Sequence, residues 1–84
     1  MEIGDIYINL ECESFLDKQT NRVRVRPLQN QNIETNIVIE CSREAREINP
    51  IGTKFYCEEA KVCKKTDGRL YLRAKDQMIY LIEE

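Results

Sequence analysis

The sequence predicts a mainly β protein: a small five- to six-stranded antiparallel barrel, OB-like or SH3-like, with one short helix near 42–48. Three observations carry this expectation. Apolar residues recur at every second position through most of the chain, the signature of half-buried strands. Short polar or glycine-containing turns separate these runs. The period breaks once, at a short stretch of helix formers between the third and fourth runs. Closure into a barrel removes the exposed edges that a flat sheet of short strands would leave.

The first run, IGDIYINLEC, sets Ile6, Ile8, Leu10 and Cys12 in one phase, against Tyr7, Asn9 and Glu11. The stretch SFLDKQTN then reads as a turn. RVRVRPL follows, with Val23 and Val25 facing inward and Arg22, Arg24 and Arg26 outward. Pro27 cannot donate to a ladder, so this strand ends there or lies at an edge. QNQN at 29–32 is a polar loop, and TNIVIEC places Ile37, Ile39 and Cys41 in phase as a third strand.

SREAREI at 42–48 has a capping serine, Ser42, and ends at Asn49–Pro50, where proline disfavours helical geometry in the residue before it. About two turns of helix need a sheet to pack on. The fourth run, TKFYCEEAKVC, slips phase between Phe55–Cys57 and Ala60–Val62, which a β-bulge near Glu58–Glu59 would repair. TDG at 66–68 signals a hairpin. RLYLRAK then turns Leu70, Leu72 and Ala74 inward, and DQ turns the chain again. MIYLI closes it with apolar residues in both phases, Met78, Tyr80 and Ile82 on one face and Ile79 and Leu81 on the other.

Length and composition bound the function. The 84 residues form one domain, 1–84, with a thin core and little interior for an elaborate active site. No apolar run approaches the roughly 18 residues of a membrane span. The acidic start lacks the pattern of a signal peptide, so a cytoplasmic protein with no membrane partner is expected. The net charge is −2, but it is segregated. Residues 1–17 hold five acidic side chains and no basic one, whereas 18–75 hold all 13 basic side chains against seven acidic. The overall charge argues against a dedicated nucleic-acid binder, while the asymmetry leaves room for a basic patch.

The residue inventory points away from catalysis. There is no histidine, which excludes Ser-His and Cys-His nucleophile arrangements. No glycine-rich phosphate loop is present, and adjacent acids such as Glu58–Glu59 point to opposite faces of a strand. The four cysteines show no close pair of the kind that binds zinc. Cys12, Cys41 and Cys57 lie in phase with apolar residues and read as small buried hydrophobes. Cys63, beside Lys64 and Lys65, is the thiol that chemistry would single out. No metal, cofactor or catalytic residue is expected, and the protein reads as a non-enzymatic binding module.

Two partner classes fit. The first is protein–protein interaction or self-association through the C-terminal strand. An antiparallel strand with one wet face should alternate cleanly, and this one does not. Met78, Tyr80 and Ile82 are its interface candidates, toward a protein partner or a homodimer. The alternative is single-strand nucleic acid or RNA, gripped by Arg22, Arg24 and Arg26 together with Arg69, Tyr71, Arg73 and Lys75. A line of cations can follow phosphates while a tyrosine stacks on a base; Tyr56 and Tyr7 are candidates to extend that surface. Carboxylates interleaved with the arginines, with Glu11, Glu13, Glu34 and Glu40 as candidates, would instead make the row a set of cross-strand pairs.

Overall fold

A computed structural model of the chain describes residues 1–83. Its strands are β1 (Ile6–Asp17), β2 (Arg22–Pro27), β3 (Ile39–Glu40), β4 (Lys54–Lys64), β5 (Leu70–Ala74) and β6 (Tyr80–Leu81). One helix, α1 (Arg43–Glu47), follows β3, and a 3-10 turn (Lys75–Gln77) follows β5. The sheet runs β2-β1-β4-β5-β3, and β6 adds to β4 beside β5. β2 and β3 then lie side by side without a ladder, so the barrel is nearly closed, with one seam. A helix between β3 and β4, with β1 paired to both β2 and β4, is the OB-like of the two expected layouts. One pairing departs from the antiparallel expectation: β3 runs parallel to β5, because the chain crosses from one to the other through α1 and β4.

The core is one cluster in which Leu10, Cys12, Val25, Ile39, Phe55, Cys57, Ala60, Val62, Leu72 and Ala74 are buried. Ile37, Ile39 and Cys41 point inward together as their spacing predicts. Ser42 caps α1, its hydroxyl accepting from the Ala45 N–H at 3.3 Å. The Asn49 side chain donates to the Ala45 carbonyl and closes the other end. The hairpin at 66–68 turns at Gly68, whose φ of 92° suits a residue without Cβ.

Four sequence expectations need correction. SFLD is not a turn; it extends β1 to Asp17, with Ser14 buried beneath it, and the turn is confined to 18–21. Ile6 and Ile8 face solvent, 55% and 62% exposed, instead of the core. The cause lies at Asn9, whose φ of 52° is tolerated by asparagine and reverses the phase of β1, so that Tyr7 and Leu10 turn inward three residues apart.

β4 does the same directly opposite, where Cys57 and Ala60 are both buried. Tyr7 pairs with Ala60 and Leu10 with Cys57, so the register offset never changes. Two strands thus kink together, where a one-sided bulge at Glu58–Glu59 was expected. The third correction is Leu70, which lies at the mouth of the hairpin and is exposed. The fourth is the final strand: Ile79 alone is buried, Met78 and Leu81 are exposed, and Ile82 is half-buried. No helix among the described residues is long and apolar enough to cross a membrane.

Candidate nucleic-acid interface at the barrel seam

The arginine row lies on the outer face of β2, as its alternation requires, but it is not a free line of charge. Register sets Glu13 opposite Arg26, Phe15 opposite Arg24 and Asp17 opposite Arg22. Arg26 Nε lies 3.4 Å from Glu13 Oε2, and its guanidinium stacks 4.5 Å from the Phe15 ring centroid. Arg24 Nε lies 3.0 Å from Asp17 Oδ2, close but out of line for a hydrogen bond. Carboxylates therefore interleave with the row, and of its members only Arg22 has no ion pair among the described residues.

Asp17 has a second task. Its carboxylate accepts the Gln19 N–H at 3.0 Å in the β1–β2 turn. That bond, helped by Thr20 and Arg24, holds the carboxyl below the usual aspartate range, and the Arg69 N–H does the same for Asp67. A lowered folded-state pKa means that the stabilisation is fully present above the unfolded value and is lost as pH falls through the folded one. In a carboxyl-carbon NMR titration Asp17 and Asp67 are expected to protonate below the usual aspartate range, and Asp17→Asn should remove part of the acid sensitivity of folding.

The structure splits the seven residues expected to hold nucleic acid. Arg22, Arg24 and Tyr71 line one groove, which lies over the seam between β2 and β3. Arg26 faces another concavity with Pro27 and Lys54. Arg69 is paired with Asp67 at 3.3 Å, and Lys75 with Glu59 at 3.5 Å. Arg73 lies opposite Lys61 on the outer face, away from the groove.

Two cations that sequence reasoning missed complete the seam groove, Arg46 from α1 and Lys65 from the β4–β5 hairpin. Lys65 Nζ lies 5.4 Å from the Tyr71 ring centroid. Arg46 Nε donates to the Val23 carbonyl at 2.9 Å, and Nη1 to the Cys41 carbonyl at 2.7 Å. Its guanidinium therefore bridges β2 to the segment after β3 where no ladder forms. Nothing in the sequence distinguishes Arg46 from an ordinary exposed helical arginine. Lys65 was detectable, since a lysine directly before a hairpin turn lies across from Arg69.

The groove encloses about 260 Å3 and is lined by four cations, of which Arg24 is paired with Asp17 outside it, and by one carboxylate, Glu40. Desolvation at Tyr71 raises its hydroxyl pKa above the usual tyrosine value. Of the expected protein interface, Tyr80 is committed within the monomer, its ring stacked 5.3 Å from Tyr56, and the neighbouring Glu58 pushes its hydroxyl pKa up. Met78, 47% exposed, remains available and shares a concavity with Ile8. The cysteines Cys12, Cys41 and Cys57 are buried. The contact with Cys57 and burial push the Cys12 thiol up, and burial pushes Cys41 up, so both stay protonated. Cys63 is half-buried, its thiol on the Lys61 carbonyl, and no group of three ligand-type side chains fit to hold a metal occurs among the described residues.

Fold and site together define a small, nearly closed β-barrel with a cationic groove across the unladdered seam between β2 and β3. No family model, curated protein or solved structure matches the chain.

Proposed function

We propose that this protein is a non-enzymatic binding module that holds single-stranded nucleic acid in the seam groove. The observation that carries the proposal is the convergence of Arg22 and Arg24 with Lys65, Tyr71 and Arg46 from three other parts of the chain. Cations at the rim meet phosphates while the tyrosine face receives a base, the division of labour of single-strand grooves. OB-like barrels bind oligonucleotides over the same strands and neighbouring loops, which is support by analogy of fold. The arginine row itself contributes less than its spacing implies, because Glu13 and Asp17 neutralise Arg26 and Arg24.

Fluorescence anisotropy of a labelled single-stranded oligonucleotide, at two salt concentrations, tests this. About three phosphate contacts predict a slope of log affinity against log salt near −2. Arg22→Ala or Lys65→Ala should each flatten the slope by about 0.7. Tyr71→Ala should weaken binding by roughly 5- to 150-fold, the range for one lost base stack. Absence of binding at tens of micromolar protein in low salt would refute the proposal.

The second reading, docking of a protein, is favoured by one observation. Ile6, Ile8 and Met78 are exposed on neighbouring parts of the surface, away from the groove.

A further inference from the structure

β1 pairs with β4 from Ile6 to Glu13 and with β2 only from Cys12 to Asp17. Its first half therefore has an unpaired edge. The Val62 N–H donates to the Asp5 carbonyl at 2.8 Å, which fixes the alternation: Tyr7 exchanges bonds with Ala60, and the N–H and C=O groups of Ile6 and Ile8 point away from β4. At Glu11 the edge is closed, because the Leu28 N–H and the Gln31 amide occupy its main chain. Between these limits no strand among the described residues pairs with Ile6 or Ile8 on the side away from β4, and both side chains stand in solvent. Among the described residues no lysine, proline or covering loop protects this edge, though such devices usually guard one.

We propose that the Ile6–Ile8 edge is a strand-addition site for an extended segment of a partner protein in which basic residues alternate with β-branched ones. Charge selects this occupant. Glu2, Asp5 and Glu11 flank the edge, and none has an ion pair among the described residues. The other half of β1 shows the same recognition completed within the chain, where the acidic strand holds RVRVR with Asp17 on Arg24 and Glu13 on Arg26. A second copy fits poorly. Two-fold pairing about Tyr7 would set Asp5 opposite Asn9 and Ile3 opposite Glu11, and would gather Glu2, Asp5 and Glu11 of both copies along one short ladder with no basic side chain in either segment. Main-chain bonds to Ile6 and Ile8 supply affinity in such an addition, and the side chains set the pattern of the partner.

The test titrates a blocked seven-residue peptide of alternating lysine and valine into 15N-labelled protein, with hydrogen exchange read at each amide. Saturable binding with new protection at Ile6 and Ile8 is expected. Ile8→Lys, at an exposed position that folding tolerates, should weaken it at least tenfold by placing like charges together. Arg22→Ala in the seam groove should leave it unchanged, which separates this site from the nucleic-acid proposal. An alternating glutamate–valine peptide should not bind. The proposal is overturned if the lysine–valine peptide fails to saturate by about 1 mM, or if protection falls elsewhere. It is also overturned if the free protein forms a dimer in sedimentation that Ile8→Lys abolishes, since the occupant would then be a second copy.

Discussion

Phe55→Ala is expected to lower the free energy of unfolding by about 3–5 kcal/mol. Phe55 is 1% exposed and the largest of the fully buried side chains. It sits on β4 where that strand is paired on both sides, with Cys12 on β1 and Leu81 on β6. Truncation removes the transfer energy of a phenyl ring and leaves a void that two ladders prevent from collapsing. A domain of this size has roughly 4–13 kcal/mol to lose, so the variant should be near or past the point of unfolding at 37 °C. Denaturant melts followed by circular dichroism measure the change. Leu81→Ala is the control. Leu81 is the register partner of Phe55 but 51% exposed, and its loss should cost no more than about 1 kcal/mol. Equal losses for the two variants would mean that the core is not centred on β4.

The contrast between these neighbours shows which parts of the fold could be read from the chain. Ile37–Ile39–Cys41 and Leu72–Ala74 keep one face on the core throughout, so period two located them. The kink in β4 was also visible, because Cys57 and Ala60 are apolar and the two glutamates between them belong outside. Its counterpart in β1 was hidden. There the outward residues are Ile6 and Ile8 and the inward one is Tyr7, so hydrophobicity points the wrong way and only the φ of Asn9 reveals the reversal. The candidate groove was half legible for a similar reason. Alternation gave the outward faces of β2 and β5, but not that Arg22, Arg24 and Tyr71 meet across a seam while Arg26, Arg69, Arg73 and Lys75 do not. That depends on which strands become neighbours, a property of the closed sheet.

Arg46→Ala is the second substitution with a large expected effect, about 2–4 kcal/mol. Where β2 and β3 approach, the barrel has no ladder, and the Arg46 guanidinium supplies two charge-assisted hydrogen bonds in its place, to Val23 and Cys41. Alanine leaves both part-buried carbonyls without their donor, a larger loss than that of an exposed ion pair. Arg46→Lys keeps the charge but replaces a planar fork with a single ammonium, so it should recover only part of the stability. Glu44→Ala, on the exposed side of the same helix, should stay within about 0.5 kcal/mol. Hydrogen exchange across the seam gives the local readout: amides of β2 and β3 should open faster in Arg46→Ala while those of the β1–β4 ladder follow global stability. The lysine variant also divides the two roles of the residue. If nucleic-acid affinity follows charge, Arg46→Lys binds like the parent protein although its seam is weakened. If affinity falls together with seam protection, Arg46 acts by holding β2 against β3, and the groove exists only while that bridge is made.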